Sequence, residues 1–154
     1  MTGSGLRGEV EPPGDKSISH RALILGALAR GTSRISGLNP GRDVLATRRI
    51  LGELGVPVTV EDEDITAITG AGGAFTPPPG PLDCENSGTT MRLMAGVLAG
   101  WGGQAILTGD RSLSSRPMDR VAEPLRRMGA RVTTRDGHAP IALAGGELAG
   151  IVYE

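Results

Sequence analysis

Apolar and polar positions along this 154-residue chain fall into two matching series. Residues 21–29 and 92–99 are aliphatic runs of helix-forming character, each opened by an arginine. Each run leads into a short strand-like piece that ends in glycine, over 32–37 and 104–109. An amphipathic pattern follows in each series, over 44–54 and 118–128, and predicts a helix closed by a C-cap glycine, Gly55 or Gly129. Two β-rich pieces complete each series, 56–60 with 65–69 and 130–134 with 140–144.

The offsets between the series are 71 residues from Arg21 to Arg92, 72 from Gly37 to Gly109 and 74 from Gly55 to Gly129. A near-constant period means duplication, so the expectation is an α/β fold with two copies of a β-α-β-α-β-β unit. The first repeat is placed at about 7–70, a Gly/Pro-rich linker at 71–81 and the second repeat at about 82–145. Residues 146–154 would begin a third copy, making 1–154 a partial single domain. An incomplete set of repeats leaves an apolar face uncovered.

Composition narrows the classes of function. One cysteine, Cys84, cannot form an internal disulfide, and His20 and His138 offer no metal-ligand spacing. A formal charge of −1 with one Trp, one Tyr and one Phe argues against nucleic acid, which calls for a basic face or stacking platforms. The N-terminal stretch carries Glu9, Glu11 and Asp15, and no apolar run approaches spanning length, so a soluble cytoplasmic protein acting on small molecules is expected.

The chain has one lysine among fifteen arginines, and it lies in Pro13-Gly14-Asp15-Lys16-Ser17-Ile18-Ser19-His20-Arg21. A compact ammonium at the turn into a helix, where free backbone N–H groups favour negative charge, reads as a phosphate or carboxylate site. The repeat places a second polar string, Glu85-Asn86-Ser87-Gly88-Thr89-Thr90, at the equivalent point. There Asn86, Ser87 and Thr89 suit capping, and Gly88 admits a ligand to bare backbone. A third string, residues 109–118, runs into a helix with Pro117 expected in its first turn; Arg116 could add a planar fork to the anion site, and Arg111 reads as a surface residue. Other residues take plainer readings. His20 is expected to pack or hydrogen-bond, Asp43 to cap a helix, 61–64 to form a solvated hairpin turn, and Cys84 to be small and buried.

Together, 13–22 (Pro-Gly-Asp-Lys-Ser-Ile-Ser-His-Arg-Ala), 86–93 (Asn-Ser-Gly-Thr-Thr-Met-Arg-Leu) and 109–118 (Gly-Asp-x-Ser-Leu-x-x-Arg-Pro-Met) resemble the 5-enolpyruvylshikimate-3-phosphate synthase family, collinearly and over essentially the whole chain. The resemblance implies an inside-out α/β barrel domain of the enolpyruvyl transferase type, with three such units in each of two domains. This chain would supply two units of one domain, and the second domain, with its acid/base carboxylates, would be absent. The implied reaction moves the enolpyruvyl group of phosphoenolpyruvate to the 5-hydroxyl of shikimate 3-phosphate, without metal or organic cofactor, and the isolated chain is expected to be inactive. Lys16 would touch both substrates, Ser17 and Arg21 would hold shikimate 3-phosphate, and Gly88 and Arg116 would hold phosphoenolpyruvate. Asn86, Thr89, Arg92 and Asp43 would back these contacts, although Arg92, the counterpart of Arg21, could equally tie the repeats together. Some members have Ala-Gly-Thr-Ala-Met-Arg-Pro where this chain has residues 87–93; Gly88 leaves room for glyphosate, which competes with phosphoenolpyruvate in this family. The related transferases acting on UDP-N-acetylglucosamine usually have Lys-Asn at 16–17 and a cysteine within 109–117, and neither is present. A non-catalytic anion-binding half-enzyme, or a fragment that needs a complementary chain, is the alternative of a different class.

Overall fold

A computed structural model describes residues 7–153; Met1 to Leu6 and Glu154, which the expected domain includes, lie outside the described residues. The elements are α1 (Lys16–Leu28), β1 (Arg30–Ser36), α2 (Arg42–Glu53), β2 (Val58–Val60), β3 (Ile65–Ala71), β4 (Leu82–Asp83), α3 (Gly88–Gly100), β5 (Gln104–Thr108), α4 (Arg111–Ser114), α5 (Asp119–Arg127), β6 (Arg131–Arg135) and β7 (His138–Ala144). Two sheets result, ordered β1-β3-β2 and β4-β5-β7-β6. In the first, β3 pairs antiparallel with both neighbours, Ser33 opposite Ile68 and Val58 opposite the same residue. In the second, β7 pairs antiparallel with β5 and β6 in the same order, and β4 adds in parallel beside β5.

The second series thus realises the full β-α-β-α-β-β unit, with α4 as an extra turn inside the polar string before α5. The first lacks its leading strand, because residues 7–15 form no strand. Pro12 and Pro13 have no N–H to offer a ladder there. Residues 145–153 form no strand either. They fold back over the second unit, with the Ala149 N–H donating to Met128 O at 2.8 Å and Leu148 packed against the core.

The helices form one layer and the sheets pack against one side of it. α1 packs on β3, α3 packs on β5 and β7, and the helices pack on one another. The core between the layers is aliphatic and sulfur-rich, built on Leu23, Ile50, Leu54, Ile68, Met91, Met94, Leu98 and Leu107. The linker contributes to it, since Phe75 is buried edge-on to Trp101 at a centroid distance of 6.0 Å.

Both predicted C-caps form, by the same mechanism. Gly55 and Gly129 adopt φ of +81° and +105°, and each sits in a paired turn. The Val56 N–H reaches Leu51 O as the Gly55 N–H reaches Gly52 O, and Ala130 and Gly129 do the same with Leu125 O and Arg126 O. Left-handed backbone at this position closes a helix cheaply only when no Cβ is present.

Candidate anion site

The first polar string is fixed before any ligand arrives. Asp15 caps α1 by accepting the Ile18 N–H at 2.7 Å, so part of the free N–H field at this terminus is already taken. Buried Ser19 donates to Asp15 O at 2.8 Å and accepts the Asn39 N–H at 2.9 Å, while Asn39 Nδ2 donates to Gly14 O at 2.7 Å. Gly14 has no room for a side chain, since a Cβ would overlap the Gly37 carbonyl oxygen. Lys16, the first residue of α1, therefore projects from an anchored turn, and its Nζ donates to Asp43 Oδ2 at 3.0 Å. Asp43 is not the cap of α2. Gly41 holds the extended N-cap position, and Asp43 lies in the first helical turn, where its carboxylate meets the lysine. Ser17 and Arg21 lie exposed on α1, and Arg21 makes no ion pair among the described residues.

The second string is built differently. Ser87 caps α3 through the Thr90 N–H at 3.1 Å, so neither Asn86 nor Thr89 has the capping role expected of it; Thr89 is the second residue of the helix. Asn86 instead bridges two groups of the third string. Its Nδ2 donates to both oxygens of Asp110 at 2.9 and 2.8 Å, and its Oδ1 accepts Arg116 Nη2 at 2.7 Å. Asp110 caps α4, and the Leu113 N–H that it accepts, followed by the Asn86 amide, holds its carboxyl below the usual range. Pro117 falls just before the Met118 N-cap of α5, outside the helical turn expected to contain it. Gly88 opens α3 between two guanidiniums. A Cβ there would lie 3.3 Å from Arg116 Nη1 and 3.5 Å from Arg92 Nη1. Among the described residues, Arg92 has a buried Nε without a partner and only a long contact, 3.5 Å, from Nη2 to Pro117 O.

A chain of buried hydroxyls joins the two strings. His20 Nδ1 lies 2.8 Å from Thr47 Oγ1, which lies 2.8 Å from Thr90 Oγ1. Thr90 Oγ1 is also 3.0 Å from the backbone oxygen of Asp43 and 2.7 Å from Ser87 Oγ. Asp43 thus touches Lys16 through its side chain and the first turn of α3 through its main chain. His20 packs and hydrogen-bonds as expected; burial pulls its pKa below the ordinary value, with Asp43 opposing that shift and Lys16 adding to it.

The comparisons with known proteins converge. The model of the family described as EPSP synthase (3-phosphoshikimate 1-carboxyvinyltransferase) matches residues 1–154. The chain belongs to the EPSP synthase family. A 3-phosphoshikimate 1-carboxyvinyltransferase of Halorhodospira halophila is 53% identical over 154 residues, covering 98% of this chain and 35% of the relative. Its counterpart in Acidithiobacillus ferrooxidans is 51% identical over 152 residues, with the same two coverages. The solved EPSP synthase of Acinetobacter baumannii superposes with a TM-score of 0.89 at 41% identity, over 95% of this chain and 34% of that one. The chain therefore spans about a third of the length of the relatives it matches.

Within this family member the remaining candidates are quiet. Cys84 is buried and its thiol is pushed up to about 12, chiefly by that burial, which leaves it inert. Residues 61–64 form the expected exposed turn, with Asp62 Oδ1 accepting the Asp64 and Ile65 N–H groups, and Arg111 is exposed. Among the described residues no three His, Cys, Asp or Glu side chains are grouped to hold a metal, and no helix is long and apolar enough to cross a membrane. Sequence reasoning missed Asn39 and Thr47 as parts of the site, and placed Thr90 in the second string without giving it a role. Asn39 had a signal, the turn dipeptide Asn39-Pro40. Thr47 had only its polarity on the apolar face of α2.

Proposed function

We propose that this chain supplies part of the active site of a 3-phosphoshikimate 1-carboxyvinyltransferase, working in aromatic amino acid biosynthesis. The observation that carries this reading is the pairing of two cationic helix N-termini through Asp43: Lys16 on α1, and Gly88 on α3 between Arg116 and Arg92. Lys16, Ser17 and Arg21 take shikimate 3-phosphate. Lys16, the Gly88 backbone and Arg116 take phosphoenolpyruvate, with Asn86, Thr89, Arg92 and Asp43 behind them. Asn86 supports the role of Arg116 directly, since its amide oxygen aims the guanidinium.

The substrates are polyanions that repel one another, so a cation between them lowers the work of bringing them together. The 5-hydroxyl oxygen of shikimate 3-phosphate bonds to C2 of phosphoenolpyruvate, its proton leaves to a base, and C3 gains a proton. The C2–O bond to phosphate then breaks, C3 returns a proton to restore the double bond, and inorganic phosphate departs. Nothing is oxidised or reduced, and no cofactor is called for. The acid/base groups come from a second domain, on the same polypeptide or supplied as a complementary chain. Cys84 gives no sign of an oxidising compartment, and the cytoplasm is the proposed setting.

Calorimetric titration of the 154-residue chain with shikimate 3-phosphate tests the reading. Binding is expected, weakened by at least about ten-fold in Lys16→Ala, as suits loss of a charge-assisted contact. No binding by demonstrably folded chain would overturn it. With both substrates present no sustained phosphate release is expected, and turnover by the chain alone would refute the half-site assignment.

A further inference from the structure

The hydroxyl chain has one direction of proton donation that fits its contacts. Thr90 Oγ1 carries a single proton and has close oxygens at Asp43 O, Ser87 Oγ and Thr47 Oγ1. The Asp43 carbonyl can only accept, so its 3.0 Å contact takes the Thr90 proton, and Thr47 donates its own proton to Thr90 across 2.8 Å. Thr47 then has only lone pairs for His20, so His20 Nδ1 is the protonated nitrogen and donates at 2.8 Å. The unprotonated nitrogen is Nε2, the buried ring atom without a partner among the described residues. All four residues are buried, and they sit on α1, α2, the first turn of α3 and its cap.

We propose that Thr47 and Thr90 are positioning residues, which set Gly88 on α3 at a fixed place relative to Lys16 on α1 through the chain His20–Thr47–Thr90–Ser87. The assignment of phosphoenolpyruvate to Gly88 rests on the function proposed above; the fixing of α3 does not. Thr90 is tied both to the main chain of Asp43, whose side chain holds Lys16, and to the Ser87 cap that precedes Gly88. A shift of Thr90 therefore carries the Gly88 N–H with it. Substituting valine for Thr47 keeps the shape and removes the link, while serine keeps the link.

The test uses the ¹⁵N-labelled 154-residue chain without ligand, then with phosphoenolpyruvate. Long-range correlations of the His20 ring should show the Nδ1–H tautomer at pH 7. In Thr47→Val that preference should be lost and hydrogen exchange at the Thr90 amide, which donates to Ser87 Oγ at 3.1 Å, should rise by about ten-fold or more, whereas Thr47→Ser should keep both. An Nε2–H tautomer in the unsubstituted chain overturns the proposal, even if the valine variant does not fold. So does a folded Thr47→Val with unchanged Thr90 exchange. Titration then reads the second part: phosphoenolpyruvate affinity should fall by about five-fold or more in Thr47→Val, with shikimate 3-phosphate within about two-fold. If the ligand-free signatures are as stated but the unsubstituted chain does not bind phosphoenolpyruvate, the ligand assignment fails and the positioning of α3 stands.

Discussion

At the N-terminus of α1 the cation faces a carboxylate, whereas at the N-terminus of α3 it faces an amide. Lys16 and Asp43 are both partly open to solvent, at 51% and 32% side-chain exposure, and neutralise each other across 3.0 Å. An incoming phosphate must compete with Asp43 for that ammonium. Arg116 is held by the neutral oxygen of Asn86, and the carboxylate behind it, Asp110, has both oxygens engaged by the Asn86 amide. Asp110 acts on Arg116 through space and not by direct contact, and Arg116 Nη1 stands beside Gly88. One helix N-terminus thus faces a shielded cation and the other an aimed one, supplied from a different string. Preorganisation of the second kind makes an anion site selective for shape, since the donors do not move to meet the ligand.

Gly88→Ala breaks the aimed half and should have the largest effect. Its methyl would stand 3.3 Å from Arg116 Nη1 and 3.5 Å from Arg92 Nη1, in the space a ligand oxygen needs to reach the helix amides. Phosphoenolpyruvate binding should weaken by about ten-fold or more, read by calorimetry. Gly88 is not among the glycines at positive φ, and alanine favours helix over glycine by up to about 1 kcal/mol, so thermal stability should hold or rise. Weak binding in a stable variant separates an anion cradle from a packing glycine; unchanged binding would mean that no ligand approaches there.

The sequence reveals the two halves through periodicity, because both copies use the same aliphatic helix, the same amphipathic helix and the same C-cap glycine. Those are local properties, and residues near one another in the chain determine them. What distinguishes the halves is not local. Lys16 meets Asp43, and His20 meets Thr47, each 27 residues away, while Asn86 meets Arg116 at 30. An aspartate two residues past a glycine looks like a cap until the backbone shows that the glycine already has that place. A threonine within an amphipathic helix looks like any small polar residue until its hydroxyl is found in a buried chain. The leading strand of the first unit does not form over 7–15, where Pro12 and Pro13 withhold two N–H groups from any ladder.

His20, between the halves, gives an intermediate effect that depends on pH. Burial lowers its pKa in the folded chain, so on acidification the unfolded chain takes up the proton first. More protons bound to the unfolded state means that stability rises with pH through this window. The contribution is complete above about pH 6.5, the ordinary histidine value, and is lost as pH falls through the lower folded-state value. Thermal midpoints measured from pH 8 to pH 5 should decline below about 6.5 in the native chain, and that component should be missing in His20→Asn. Equal slopes in both would show that His20 is not held neutral by the fold.

Asp43→Asn sharpens the comparison with the smallest effect on stability, because it turns the shielded half into a copy of the aimed one. The amide still accepts from Lys16 Nζ but no longer cancels its charge, and the main-chain bond from Thr90 to Asp43 O is untouched. An ion pair this exposed contributes at most about 1 kcal/mol, so unfolding should shift little. A carboxylate a few ångströms from a bound phosphate repels it, and removing it should tighten inorganic phosphate by about three- to ten-fold at low salt, less at 0.15 M. Titrations at two ionic strengths distinguish shielding from aiming. Tighter binding that fades with salt means Asp43 holds Lys16 in reserve against stray anions. Weaker binding at both strengths means its carboxylate sets the direction of the ammonium, and the two halves would then share one design, an oriented cation, reached with different acceptors.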